Sequence, residues 1–205
     1  MNVLMIRIRI AKPEDAETLL EIYRYYVLNT AITMEVTPPD TAEFQRRIRV
    51  TGMNYPWLVA EDDGTVVGYA YINSFHTREA YRHAAEISVY VAKEERHKGI
   101  GGRLYTALED IARLQNVYTL HACIVKPDGP DAYVTNASCD FHTAMGYRME
   151  GCHEHCAYKF GTWYSVVWMG KRLTDLPEKP EAFVPFPEIR VNEDTGYREG
   201  YRVMI

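Results

Sequence analysis

Several common sequence signals are missing from this chain of 205 residues, and each absence excludes a class of protein. There is no run of about 18 apolar residues, which argues against a transmembrane helix. The first residues, Met1 to Arg7, run into a strand-like pattern without a small-residue cleavage site, so we expect no signal peptide. Basic residues are not in excess: 28 Asp and Glu against 23 Lys and Arg give a net charge of -5, which argues against a nucleic-acid partner.

Cysteine is also scarce. Cys123, Cys139, Cys152 and Cys156 are too few and too irregularly spaced for a disulfide framework, so the sequence predicts a protein of the reducing cytoplasm. The run Cys152-His-Glu-His-Cys156 raises the possibility of a zinc site. No second ligand pair stands at the usual spacing, and alternate residues of a strand point to opposite faces, so we predict no metal.

The most informative segment begins at Glu86. Apolar and polar residues alternate from Glu86 to Val91, which predicts a strand with two differently used faces, and apolar residues then recur at helical spacing from Ile100 to Ile111. The connecting residues Arg96 to Gly102 include three glycines. Because the first turn of a helix offers free N–H groups and the positive end of its dipole, this loop could cradle a phosphate. A tight turn between strand and helix would also explain the glycines.

The order of residues in this loop narrows the ligand. No Lys-Ser or Lys-Thr follows the glycines, and the spacing is not Gly-x-Gly-x-x-Gly, so nucleoside triphosphates and dinucleotides are disfavoured. Arg96-x-x-Gly99-x-Gly101 after a Val-Tyr-Val strand instead resembles the acetyl-coenzyme A (acetyl-CoA) pyrophosphate loop of the Gcn5-related N-acetyltransferases (GNAT).

The rest of the chain predicts one mixed domain and a different C-terminal segment. At 47% hydrophobic residues the chain can bury one substantial core. Further strands are predicted at 7–10, 57–61, 66–72, 119–125, 156–160 and 163–169, and further helices from residue 13, at 41–50 and at 136–145. From Lys171 prolines interrupt a mostly polar segment, and short apolar alternations follow from Ile189 to Ile205. We therefore expect a domain over residues 1–170 and an extension over 171–205 that is a draped tail, a hairpin or a dimer contact.

Ordered motifs over about residues 7–170 resemble the phosphinothricin acetyltransferase group of the GNAT superfamily. They include Tyr55-Pro-Trp-Leu-Val-Ala, Gly68-Tyr-Ala-Tyr, Arg78-x-x-Tyr81, Glu86-x-Ser-Val-Tyr-Val, Asn136-Ala-Ser and Lys159-Phe-Gly-x-Trp163. The resemblance implies an α+β fold whose mixed sheet is splayed at the acetyl-CoA strand and flanked by helices. It also implies an enzyme, commonly a homodimer, that uses acetyl-CoA without metal. Such enzymes acetylate the α-amine of small amino-acid-like compounds such as phosphinothricin, methionine sulfone or methionine sulfoximine.

The same resemblance assigns roles to individual residues. Glu86 would be the base for the incoming amine, and His142 would act near the leaving thiol. The residues implied to bind the cofactor are Val89, Tyr90, Val91, Arg96, His97, Lys98, Gly99, Ile100, Gly101, Gly102 and Asn136. Those implied to face the substrate are Met34, Arg78 and Tyr81.

Elementary chemistry agrees with these roles. An ammonium group must lose a proton before its nitrogen attacks a thioester, and a carboxylate such as Glu86 can accept that proton, directly or through water. Free N–H groups of a splayed strand can polarise the thioester carbonyl, and Arg78 can pair with a substrate carboxylate. Simpler interpretations exist: Glu86 as a solvated strand-edge residue, His142 as a structural histidine, and Arg78 and Tyr81 as parts of a solvated loop.

Three departures from the group leave the acceptor open. Met34 stands where the herbicide-detoxifying members have an aromatic residue, the loop from Lys126 to Thr135 is longer than usual, and the residues after Lys171 have no counterpart. Two other functions therefore remain: acetylation of a peptide N-terminus or polyamine, and acyl-CoA binding by a non-catalytic regulator.

Overall fold

The computed structural model describes residues 6–189 and a two-residue strand at 203–204. The apolar alternation predicted from Ile189 to Ile205 lies, apart from Ile189 and that strand, outside the described residues. No helix within the described part is long and apolar enough to cross a membrane.

One mixed β-sheet carries the fold. Its strands are β1 (Ile6–Ile10), β2 (Trp57–Asp62), β3 (Thr65–Ser74), β4 (Ala84–Val91), β5 (Thr119–Lys126), β6 (Arg148–Lys159), β7 (Thr162–Arg172) and β8 (Val203–Met204). The helices are α1 (Ala16–Asn29), α2 (Thr41–Gly52), α3 (Ile100–Leu114) and α4 (Ala137–Ala144). The strand order is β6-β7-β5-β4-β3-β2-β1-β8. Among the strands that the structure describes, the pairs β4–β5 and β1–β8 are parallel and the other pairs are antiparallel.

The parallel pair at the centre of the sheet is short. Residues Ala84–Glu86 of β4 pair with Thr119–His121 of β5, and the pairing ends there. Beyond that point β4 stays paired with β3 as far as Val91, and β5 stays paired with β7 as far as Lys126. The two strands therefore diverge, and the predicted splayed mixed sheet is confirmed.

The two faces of the sheet are packed differently. One face packs mainly aliphatic side chains against α3, including Ile87 of β4 and Leu104 of the helix. The opposite face packs an aromatic cluster against α1 and α2, including Tyr69 and Tyr90. Because side chains alternate along a strand, Glu86 and Ser88 point to the same face as Tyr90.

Strand β6 begins well before its predicted start. It runs from Arg148, not from Cys156, and nearly all of it is exposed. Its register against β7 shifts between Met149 and Gly151 and again between His153 and Ala157. These bulges and the absence of a buried face remove the alternation on which a prediction of a strand depends.

Part of the C-terminal segment lies against the domain. The N–H of Leu173 donates to the carbonyl of Tyr118 at 2.8 Å, and the N–H of Val184 donates to the carbonyl of Gln115 at 3.1 Å. Phe183, Phe186 and Ile189 pack against the aliphatic core. The division of the chain at residue 170 stays a prediction.

Candidate active site

The divergence of β4 and β5 opens a pocket in the middle of the sheet. Its walls are the two strands, α3, α4 and the loop after α1. The lining residues are Ile32, Ile87, Ser88, Val89, Tyr90, Tyr105, Ala122, Cys123, Ile124, Val125, Ser138 and His142. The pocket therefore brings together Val89, Tyr90 and His142 of the residues predicted from the sequence.

The backbone of β4 turns hydrogen-bonding groups toward this opening. The N–H of Ala92 donates to Val67 of β3, so the backbone groups of Val91 face the other way, toward β5. There the hydroxyl of Tyr26 donates to the carbonyl of Val91 at 2.6 Å and accepts from its N–H at 3.3 Å. By the same alternation the N–H and C=O of Val89 face the opening, where β5 no longer pairs with them. They suit an extended ligand that carries amide groups.

A loop with left-handed backbone leads from this strand into α3. His97 and Gly99 have φ angles of +62° and +80°, and the helix begins at the next residue, Ile100. A Cβ on Gly101 would lie 3.4 Å from the ring of Phe141 in α4. The first N–H groups of α3 have no intrahelical acceptor, so the loop and helix present them to an anion.

Arg96 adds positive charge beside this loop. Its guanidinium lies over the rings of Tyr25 and Tyr26, at 5.2 and 4.9 Å from their centroids. Its Nε and Nη2 atoms are buried, and neither has a hydrogen-bond partner among the described residues. Buried donors of this kind ordinarily have an acceptor, so Arg96 fits an anionic ligand such as a pyrophosphate.

Glu86 stands where the two strands separate. It is the last residue of β4 that pairs with β5, opposite His121, and it also pairs with Asn73 of β3. Burial of its carboxyl group raises its pKa. The pKa of the Cys123 thiol is about 11, raised by burial and also by the charge of Glu86. Its neighbours Ile87 and Ser88 line the pocket, and a carboxylate with a raised pKa at this position can accept a proton from a substrate.

His142 is held by hydrogen bonds at both ring nitrogens. Its Nδ1 lies 2.7 Å from the carbonyl oxygen of Ser138, and its Nε2 lies 2.8 Å from the hydroxyl of Tyr105. Because a carbonyl oxygen only accepts, Nδ1 carries the proton and Nε2 accepts from Tyr105. Burial lowers the pKa of His142, which keeps the ring neutral. Tyr105 is the functional candidate that the sequence reasoning missed, because its position in α3 looked like part of the core.

The predicted substrate residues are not all brought together. Tyr81 belongs to an aromatic cluster with Phe75 and His76, and Phe75 stacks on His121 at 4.5 Å, which connects the cluster to the neighbour of Glu86. Arg78 is exposed, its carbonyl accepts from the N–H of Tyr81 at 3.0 Å, and its guanidinium has no hydrogen bond or ion pair with another described residue. Met34 packs in a separate apolar cluster with residues of β5 and β7.

Two further predicted features, Asn136 and the run from Cys152 to Cys156, do not line the opening. Asn136 is exposed, and it immediately precedes α4, which packs on the glycine loop. The residues from Cys152 to Cys156 lie on the exposed strand β6. Among the described residues, no three His, Cys, Asp or Glu side chains are grouped so that they could hold a metal ion.

Known proteins that resemble this chain are acetyltransferases, as the geometry of the opening suggests. The profile of the acetyltransferase (GNAT) domain matches residues 8–168. A phosphinothricin N-acetyltransferase of Streptomyces viridochromogenes is 30% identical over 184 residues, which cover 90% of this chain and 96% of that protein. An L-methionine sulfoximine/L-methionine sulfone acetyltransferase of Pseudomonas aeruginosa is 33% identical over 178 residues, which cover 84% of this chain and 98% of that protein.

A solved acetyltransferase structure has the same fold as this chain. The GNAT superfamily phosphinothricin acetyltransferase of Sinorhizobium meliloti, crystallised with acetyl-CoA, superposes with a TM-score of 0.77 at 31% identity, covering 89% of this chain and 99% of that one. The fold and the opening in the sheet are those of an acetyl-CoA-dependent N-acetyltransferase. The chain belongs to the GNAT acetyltransferase family, in the group related to phosphinothricin N-acetyltransferases.

Proposed function

We propose that this N-acetyltransferase moves the acetyl group of acetyl-CoA to the α-amine of a small amino-acid-like acceptor, by direct attack in a ternary complex. The observation that carries the proposal is the end of the β4–β5 pairing at Glu86. Glu86, whose pKa is raised by burial, lies at the end of this pairing, and the backbone groups of Val89, three residues further along β4, have no strand partner on the side of the opening among the described residues.

The residues around the opening fit the cofactor. The backbone of Val89 and its neighbours Tyr90 and Val91 would contact the pantetheine arm, and the loop from Arg96 to Gly102 would hold the pyrophosphate. Asn136, at the start of α4, would contact the arm from the other side. When bound, acetyl-CoA supplies an activated acetyl thioester.

The chain's own groups would then handle the protons and the developing charge. Glu86 accepts a proton from the α-ammonium group, directly or through one water. The N–H of Val89 would donate a hydrogen bond to the acetyl carbonyl oxygen of bound acetyl-CoA and so stabilise negative charge on that oxygen. Tyr105, whose pKa is raised by burial, keeps its proton and can turn its O–H from His142 toward the leaving sulfur. His142 is then a positioning residue that holds Tyr105 in the wall.

An amino-acid-like acceptor is supported by the relatives, which are named for phosphinothricin and for methionine sulfoximine and sulfone. We assign Arg78 to the acceptor's carboxylate, because its guanidinium is exposed and has no partner among the described residues, and we assign Tyr81 to the same surface. Met34 would border the acceptor from the loop after α1.

We also propose a homodimer that works in the cytoplasm without metal. The exposed edge strand β6 and the exposed rings of Tyr158 and Trp163, at 58% and 57% of their surface, offer an area for a second copy. The four cysteines are all free, as in a reducing compartment.

The test is release of free thiol from acetyl-CoA against a panel of amines. The panel contains phosphinothricin, methionine sulfone, methionine sulfoximine, ordinary amino acids, polyamines and short peptides. We expect turnover on free amino acids or their analogues, unchanged by a chelator. Turnover only on peptides or polyamines would overturn the acceptor class, and acetyl-CoA binding without any turnover would favour a regulator.

A further inference from the structure

A second cavity lies between α2 and the strands β2 and β3. Its volume is about 330 Å³, within the usual range for a small-molecule site. Arg47 and Thr51 of α2 form one wall, and Trp57, Tyr71 and Asn73 lie on the strand side. None of these residues has a role in the proposed reaction.

The register of the sheet connects this cavity to Glu86. Asn73, at one end of the lining, pairs directly with Glu86, and Tyr71 pairs with Ser88. Directly paired residues point to the same face of a sheet, and their Cα atoms are roughly 5 Å apart. The charge of Glu86 also contributes to the raised pKa of Tyr71, after burial as the largest cause. One end of the cavity therefore adjoins the proposed base.

Aromatic rings dominate the strand side of the cavity. Trp57 lies parallel to Tyr71, with ring centroids 4.3 Å apart at 9°, and parallel to Tyr69, at 5.6 Å and 2°. Phe44 of α2 meets Trp57 edge-on, at 5.7 Å and 89°. An aromatic wall of this kind suits a flat, apolar ligand group, which can pack against it edge-on or offset.

The positive and negative charges of the side chains around the cavity balance one another. Arg46 donates to the carboxylate of Glu43 through its Nε at 2.6 Å and through its Nη2 at 2.9 Å. Arg47 donates to Glu43 at 3.0 Å and to Glu35 at 2.6 Å. Two positive and two negative side chains are thus paired with one another, so the cavity suits a neutral group better than an anionic one such as a phosphinate.

We infer that this cavity binds the side chain of the acceptor, and that the acceptor is an α-amino acid with a large, neutral aromatic side chain. The inference rests on the proposed function, because the α-amine must lie at Glu86 while the ring enters the cavity. The ring fills space that an alanine or a methionine sulfone side chain leaves largely empty.

The first test compares acceptors on the wild-type enzyme. We expect kcat/KM for L-phenylalanine or L-tryptophan to exceed that for L-alanine and for L-methionine sulfone by at least about tenfold, since apolar pocket contacts discriminate by roughly 10–200-fold. Equal values, or a preference for methionine sulfone, would overturn the inference while leaving amino-acid acetylation intact. Turnover of no amino acid by protein that binds acetyl-CoA would instead contradict the proposed function.

The second test fills the cavity. In Thr51→Trp we expect kcat/KM for phenylalanine to fall at least about tenfold, with that for alanine changed less than about twofold and the Kd of acetyl-CoA unchanged. The matched control is Arg49→Trp, two residues earlier on the exposed side of α2. Equal loss for both acceptors would contradict the inference. If Thr51→Trp does not fold, Val50→Trp at the half-exposed rim of the cavity serves the same comparison.

Discussion

The two halves of β4 belong to one strand but have different partners. Ala84–Glu86 pairs with β5, and Ala85 and Glu86 pair with β3 as well, whereas the following residues to Val91 are paired with β3 alone. In the first half, backbone hydrogen bonds hold the sheet together. In the second half, the backbone groups of Val89 and Val91 turn toward the opening; those of Val91 are occupied by Tyr26, and those of Val89 have no strand partner on that side among the described residues. The boundary between the halves therefore defines the site.

The boundary in β4 also explains why the proposed base is Glu86. A carboxylate earlier in β4 would lie among fully paired strands, and one later would lie beside the cofactor arm. At the boundary it is buried enough for its pKa to rise, its neighbours Ile87 and Ser88 line the opening, and its cross-strand partner Asn73 lines the second cavity. Substitutions on either side of the boundary test whether β4 is divided into a structural half and a binding half.

The largest effect is expected from Glu86→Gln. The change keeps the shape of the side chain but removes the proton acceptor, so turnover should fall by roughly 10²–10⁴-fold. The Kd of acetyl-CoA, measured by calorimetry, should stay within about threefold, because the cofactor contacts lie beyond the boundary. The control is Glu79→Gln, an exposed carboxylate in the preceding loop. Wild-type turnover in Glu86→Gln would show that another group is the base.

A smaller effect, on the cofactor, is expected from Arg96→Met. Methionine keeps the apolar stem on Tyr25 and Tyr26 but cannot bind a phosphate, and charge-assisted hydrogen bonds contribute roughly 1.5–3 kcal/mol. We expect the Kd of acetyl-CoA to rise about 10–100-fold with kcat changed much less. Arg24→Met, on the exposed side of α1, is the matched control. An unchanged Kd would remove Arg96 from the cofactor site.

Tyr105→Phe tests the far wall of the opening. Loss of the hydroxyl leaves Nε2 of His142 without its donor and removes the group proposed to meet the leaving sulfur, so kcat should fall about tenfold or more. Acetyl-CoA affinity should change little, which separates this variant from Arg96→Met. The control is Tyr118→Phe, remote from the opening. If His142→Gln lowers kcat but Tyr105→Phe does not, the imidazole itself meets the substrate.

The smallest effect concerns stability and pH. The raised pKa of Glu86 means that the folded state holds this proton more tightly than the unfolded state, so stability falls as the pH rises from the ordinary carboxyl range through the raised pKa. Glu86→Gln should therefore melt a few degrees higher than wild type at pH 7, and this difference should vanish below about pH 4. Thermal melts at the two pH values measure it. A lower melting temperature at pH 7 would mean that the carboxylate stabilises the fold.

Local sequence patterns predict much of the fold and part of the candidate site. The strand from Glu86, the glycine loop and α3 were visible because alternation, glycines and helical spacing follow one another within 30 residues. The start of β6 was missed because bulges and exposure remove the pattern. Tyr105 and the cavity beside Trp57 could not be foreseen, because each depends on contacts between elements far apart in the sequence.

Amide hydrogen exchange of β4, with and without acetyl-CoA, tests the division of the strand most directly. We expect bound acetyl-CoA to slow exchange of the Val89 amide by at least about tenfold, while the amides of Ala85 and Glu86, in the part of β4 that is paired with both neighbouring strands, change little. If Val89 exchanges at the same rate with acetyl-CoA bound, or if the protection falls on Ala84–Glu86 instead, the splayed half of β4 is not the cofactor strand.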